Sequence, residues 1–257
     1  MLIIDPIPAF TDNYIWIIHD QTHAAIVDPG TASPVIEYLR CKKLQLIAIL
    51  ITHHHADHTH GIHELLQSFD VSVYGPRNED IAHITHPLQE NDHVYLNELS
   101  LNLTVLETPG HTKDHIAYYA NHQATMVFCG DTLFSCGCGK MFEGTAHQFY
   151  HSLQKLSQLP DETLVYCTHE YTQNNIRFAK EVDPNNSALL TFEKKTQQLR
   201  NHDSPTIPTT LALEKSINPF LRCDQPAIIQ SVQNHFQQTI LDPVRIFALL
   251  REWKNTF

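Results

Sequence analysis

Five histidines and one aspartate crowd the ten residues THHHADHTHG, Thr52 to Gly61, directly after the apolar run LQLIAILI. On extended backbone successive side chains alternate between faces, so His53, His55 and Asp57 point one way while His54 and Ala56 point the other. His58 follows where the chain is expected to bend into a helix near Gly61. The resulting H-x-H-x-D-H pattern combines imidazole nitrogen with carboxylate oxygen, the donors that hold divalent transition metals, and offers enough of them to divide between two ions. His54, His60 and His63 fall off the pattern and are expected in structural or surface roles.

One short loop cannot surround two ions, so further donors must come from elsewhere. The sequence offers three: His111 in TPGHTKDH, Asp131 in FCGDTLF and His169 in YCTHEYT. Each follows an apolar run that reads as a strand, and strand ends are where α/β proteins build their sites. His115, four residues past His111, is expected to support the ligands or the core rather than to bind metal.

The elements that must position these donors are legible as alternation and punctuation. NYIWII, AAIVDPG, LIAILI, VSVYGP, LNLTVLETPG, HIAYY, TMVFCGD and TLVYCTH read as strands. Helices are expected over 33–43, 62–69 and 147–159. From about Tyr171 strand runs give way to helical segments at 174–182, 187–200, 209–216, 227–237 and 243–254, which gives an α/β domain over 1–169 and a smaller helical domain over 170–257. With Lys+Arg 17 against Asp+Glu 28 the net charge is −11, so nucleic acid and anionic membrane are excluded as partners and any anionic substrate needs a local basic pocket. No apolar run approaches the roughly 20 residues of a membrane helix, and the N-terminus lacks a basic segment, which implies a cytoplasmic protein. The six cysteines lack the spacing of a disulfide scaffold and are expected as reduced thiols.

THHHADH, PGHT, GDTLF, GCGK-x-FEGT, CTHEYT and NPFLR, in that order, resemble the metallo-β-lactamase-fold hydrolases and, within them, the glyoxalase II family of hydroxyacylglutathione hydrolases. H-x-H-x-D-H marks only the superfamily; GCGK-x-FEGT and NPFLR narrow it. The resemblance implies an αββα sandwich followed by an all-helical C-terminal domain. It also implies one metal on His53, His55 and His111, a second on Asp57, His58 and His169, and Asp131 as the bridge, with Asp57 and Asp131 serving the chemistry. Lys140, Tyr171 and Arg222 are the implied glutathione contacts. The implied reaction is hydrolysis of S-D-lactoylglutathione and related 2-hydroxyacyl thioesters by a hydroxide bridging two divalent ions, the second step of methylglyoxal detoxification. Zinc is expected, with iron or manganese also compatible with these donors, and the chain is expected to act as a monomer on this small-molecule thioester.

The pattern is not followed everywhere. Phe142 stands where some relatives have tyrosine, His60 replaces the first glycine of an x-G-G run, and Cys136 occupies the place of a small residue. A mononuclear-iron glutathione persulfide dioxygenase is the alternative on the same fold, opposed by the two-metal donor set and NPFLR. A β-lactamase is opposed by Asp131, where those enzymes use cysteine. Metal storage is opposed by the lack of common spacing among His23, His83, His86, His93, His122 and His202.

Overall fold

The computed structural model describes residues 2–121 and 125–257, and His122 lies outside them. The chain divides into two compact units, 1–107 with 114–130 and 108–113 with 131–257.

Unit 1 contains β1 (Ile3–Ala9), β2 (Asn13–His19), β3 (His23–Val27), α1 (Ser33–Lys42), β4 (Gln45–Leu50), α2 (Ala56–Thr59), α3 (Ile62–Ser68), β5 (Ser72–Pro76), β6 (His86–Leu88), β7 (His93–Leu96), β8 (Leu101–Glu107), β9 (Ile116–Asn121) and β10 (Thr125–Gly130). β1 to β6 form a sheet in sequence order, antiparallel from β1 to β3 and parallel from β3 to β6. Every residue of β2 is buried, because both faces of the sheet are covered. Ile15 and Ile17 join Ile26, Val35, Leu39, Ile49 and Leu65 in one core, while the alternate residues Trp16 and Ile18 are buried apart from it. This explains why β2 and β4 read as nearly unbroken apolar runs. β7, β8, β9 and β10 are antiparallel neighbours in a second sheet. Buried Tyr118 of β9 ties the two sheets together by donating to the carbonyl of Ile51 at 2.8 Å.

Unit 2 contains β11 (Leu133–Phe134), β12 (Gly137–Cys138), α4 (Ala146–Ser157), β13 (Leu164–Cys167), α5 (Thr172–Val182), α6 (Ser187–Arg200), β14 (Thr209–Thr210), α7 (Leu211–Ile217), α8 (Pro226–Phe236) and α9 (Pro243–Thr256). Its α4 begins with a capping box: Gln148 N–H donates to the Thr145 hydroxyl at 3.2 Å and Thr145 N–H donates to Gln148 Oε1 at 3.0 Å. Phe178, Phe220, Phe247 and Trp253 meet in an aromatic cluster beneath α5 and α9.

The expected helices all form, with ends shifted by a residue or two. Two differences have local causes. The two prolines of Ile3–Ala9 mask a strand, which is tolerated because β1 is an edge. Residues 209–210, expected as helix, pair instead with β13 as β14, and Thr210 then caps α7.

Candidate metal and substrate site

β4 delivers the histidine loop. Past Leu50 the chain bends at Thr52, and His55, with extended φ and ψ, stands at the N-cap position of the single turn of α2. Asp57 therefore stands on a helical turn and not on the extended backbone that alternation predicts; helical geometry brings it beside His58, with His58 Nε2 3.6 Å from Asp57 Oδ2. His53 Nε2 lies 3.0 Å from His55 Nδ1, and the His53 and His58 rings are centred 4.1 Å apart. Unit 1 thus gathers His53, His55, Asp57 and His58.

Asp28, which spacing alone did not single out, organises this loop. Buried at the end of β3 with φ of 53°, it accepts from Thr52 N–H at 2.8 Å and from the Thr52 hydroxyl at 2.7 Å. It also accepts from His58 Nδ1 at 3.0 Å. Because the Thr52 hydroxyl donates to Asp28, it accepts from His53 Nδ1, 3.0 Å away. Both rings therefore carry their proton on Nδ1, and each Nε2 keeps a lone pair for a cation. A short polar residue just before Pro-Gly was the signal available in AAIVDPG. Asn13 likewise donates to Asp57 Oδ2 at 2.9 Å. His115, buried, stacks on His53 at 4.7 Å, the supporting role expected of it. His54 turns away to Asp114 at 3.0 Å.

The departures near this loop are explained by geometry. His60 is exposed with ordinary helical φ, so glycine is not required there. A Cβ on Gly61 would lie 2.4 Å from the Pro29 carbonyl oxygen, so glycine is kept. Gly130, just before Asp131, has φ of 47°, and a Cβ there would meet Thr52 Oγ1 at 2.4 Å.

Unit 2 gathers the other three donors. His111 Nδ1 donates to the Lys140 carbonyl at 2.7 Å, which leaves its Nε2 facing Asp131 Oδ2 at 3.3 Å. His169 Nε2 faces the other carboxylate oxygen at 3.4 Å. Asp131 therefore presents one oxygen to each imidazole, and Thr168 steadies it by donating at 2.6 Å. Support comes from close backbone approach: a Cβ on Gly139 would sit 2.0 Å from the Asp131 carbonyl oxygen and 3.1 Å from His111 Nδ1.

Beside these donors is a cavity of about 250 Å³ lined by Phe134, Lys140, Tyr171, Asn174, Arg251 and Lys254. Phe134 meets His169 edge-on at 5.7 Å and Tyr171 at 5.2 Å, while Tyr171 stacks flat on His169 at 4.7 Å. Three cations here form the local basic pocket that an acidic chain requires for an anionic substrate. Burial, and then the neighbouring Arg251 charge, pull Lys254 down to about 8. Arg251 is buried and donates to the carbonyls of Cys138 and Gly139 at 3.0 and 3.3 Å. Sequence reasoning missed Arg251 and Lys254, since LLREWKNTF carries no motif. Arg222, expected as a substrate contact, points instead to Asp183 at 2.5 Å. The cysteines are free, as expected; burial pushes the Cys138 thiol up and Cys167 up to about 12, which keeps both protonated.

The donor chemistry is that of a metal-dependent hydrolase. Residues 9–169 match the model of the metallo-beta-lactamase superfamily, and residues 170–257 match that of the hydroxyacylglutathione hydrolase C-terminus. An α/β sandwich followed by a helical region is the architecture these matches define. The chain is 54% identical over its full length to proteins named hydroxyacylglutathione hydrolase from Nitrosomonas europaea and Nitrosomonas eutropha, covering 97% and 100% of them. It belongs to the hydroxyacylglutathione hydrolase family. Among solved structures it resembles ETHE1 from Myxococcus xanthus, with a TM-score of 0.65 and 26% identity over 100% of this chain and 99% of that one. TTHA1623 in a di-iron-bound form shares the fold, with a TM-score of 0.60 and 24% identity over 84% of this chain and 100% of the other.

Proposed function

We propose that this hydrolase cleaves S-D-lactoylglutathione and related 2-hydroxyacylglutathiones to the 2-hydroxy acid and glutathione, acting in the cytoplasm as a monomer in the second step of methylglyoxal detoxification. The observation that carries this reading is the cationic pocket built next to His111, Asp131 and His169, with Phe134 belonging to both. Its sequence modules are the metal-binding part, 1–169, and the substrate-binding part, 170–257.

His53, His55 and His111 would hold one divalent ion, Asp57, His58 and His169 a second, and Asp131 would bridge them. The oriented Nε2 lone pairs and the paired carboxylate oxygens support this assignment, and the nitrogen-oxygen donor set suits zinc, with iron or manganese also accommodated. When bound, such ions supply hydroxide near neutral pH and polarise a carbonyl. The residues do the rest. Asp28, Thr52 and the Lys140 carbonyl hold the ligating rings in their tautomers. Lys140, Arg251 and Lys254 pair with the two glutathione carboxylates, and Tyr171 borders the peptide. Arg222 enters at one remove, by fixing Asp183 and the NPFLR turn. The C–S bond breaks without a general acid, because a thiol with a pKa of about 8.5 leaves readily as thiolate.

The test is turnover of S-D-lactoylglutathione by protein as isolated, after chelation, and after zinc, iron or manganese is restored. Loss and return of activity supports the reading and ranks the ions. A folded, metal-loaded protein that leaves this thioester intact but consumes oxygen with glutathione persulfide would be a dioxygenase instead.

A further inference from the structure

Glu214 is fully buried in α7 and takes no part in the metal half-sites, yet its carboxylate is surrounded by donors. Cys136 N–H donates to Oε2 at 2.8 Å, Asn218 Nδ2 to the same oxygen at 3.0 Å, and the Thr209 hydroxyl to Oε1 at 2.8 Å. A carboxylate buried this deeply is costly unless its lone pairs are filled in this way.

One of these partners, Cys136, lies on a short hairpin. β11 and β12 form a hairpin through Ser135 and Cys136, and Cys136 has a φ of 60°, a conformation that favours glycine. Glu214 holds the strained N–H at the tip of this turn. Asn218 extends the grip, donating to the Gly137 carbonyl at 2.9 Å and the Phe134 carbonyl at 3.3 Å. Asn175 donates to the Ser135 carbonyl at 3.0 Å. The segment so fastened carries the Phe134 wall of the cavity, continues into Lys140, which also lines it, and supplies the Lys140 carbonyl that sets the His111 tautomer.

We infer that Glu214 is a positioning residue that fastens the 133–140 segment from α7, holding the glutathione pocket in shape and, through the Lys140 carbonyl, steadying His111. This rests on the substrate reading above. Cys136 also becomes intelligible: its side chain packs with Ile176, Ala179 and Ile217, while Glu214 offsets the conformation that a glycine would have adopted freely.

The experiment compares Glu214→Ala and Glu214→Gln with the parent enzyme, all carrying their metal, by steady-state kinetics and by amide hydrogen exchange of peptides covering 133–140. In Glu214→Gln the amide oxygen would still accept from Cys136 N–H while the NH₂ turns toward the Thr209 hydroxyl. For Glu214→Ala the expected result is a KM raised about tenfold with kcat lowered less than about threefold, and about tenfold faster exchange confined to 133–140. Glu214→Gln should stay within about twofold of the parent in both readouts. Parental KM or parental exchange in a folded Glu214→Ala protein overturns the inference. So does a uniform rise in exchange across the chain, which marks a general stability role. Should Glu214→Ala not fold, Asn218→Ala is judged by the same criteria. If the parent leaves the thioester untouched, the substrate reading fails by itself, and the exchange data still decide whether Glu214 fastens the segment.

Discussion

The two units assemble their metal donors in opposite ways. Unit 1 draws four from the six residues His53 to His58 and orients His53 and His58 with one buried carboxylate, Asp28. Unit 2 draws three from separate places, His111, Asp131 and His169; the Lys140 carbonyl and the close approach of Gly139 position His111, and the Thr168 hydroxyl steadies Asp131. A donor cluster contiguous in sequence has its geometry set largely by one strand end and one helical turn. A dispersed cluster depends on every loop that delivers it, and here the segments that follow Asp131 and His169 also wall the cavity. Unit 2 substitutions should therefore disturb binding and chemistry together, whereas unit 1 substitutions act through metal.

The most direct way to break the contrast is Asp131→Asn, which removes the carboxylate between His111 and His169. Loss of kcat/KM on the order of a thousandfold is expected, with metal per chain measured alongside; a variant with full metal and full turnover removes Asp131 from the bridge. Next is Asp28→Ala, which leaves the Thr52 donors and His58 Nδ1 without their acceptor. Metal affinity should fall about 10- to 100-fold and stability by about 3 kcal/mol, read by competition with a chelator and by denaturant unfolding. A loss of stability with parental metal affinity would confine Asp28 to the fold.

In unit 2, Arg251→Met should raise KM about tenfold while Arg222→Met raises it about twofold and costs about 2 kcal/mol through loss of the Asp183 pair. The reverse order would return Arg222 to the pocket. Lys254 sharpens the point through pH. Burial holds its ammonium down at about 8, so it is charged below that pH and neutral above it. KM should therefore rise about threefold as pH passes upward through this value, and Lys254→Arg should flatten the rise; an unaltered profile would remove Lys254 from anion binding. The smallest effect is expected at His60. His60→Gly should change stability by less than about 0.5 kcal/mol, whereas Gly61→Ala, whose Cβ would strike the Pro29 carbonyl, should cost about 2 kcal/mol or more, both measured by thermal unfolding.

Legibility in the sequence follows the same division. The strands β2, β4, β8 and β10 were readable because burial on one or both faces leaves an apolar record. β1 was hidden by prolines that an edge strand tolerates, and β11, β12 and β14 are two residues each, too short for periodicity. The donors themselves were legible because six residues carry the H-x-H-x-D-H pattern and three further His and Asp follow strand runs in order behind it. Asp28 and Asn13 were not, since each is an ordinary turn residue until the residue it holds is known.

By itself the sequence determined which residues could bind metal, that a second, helical region follows the sandwich, and that an acidic chain needs a cationic pocket for an anionic substrate. Those properties live in residue type and local spacing. Only the tertiary structure decided which nitrogen of His53, His58 and His111 carries the proton, that Arg222 is committed to Asp183, and that Arg251 and Lys254 line the cavity in its place. A tautomer or an ion pair is chosen by whichever partner the fold brings within about 3 Å, and such partners lie at sequence separations that no local pattern encodes.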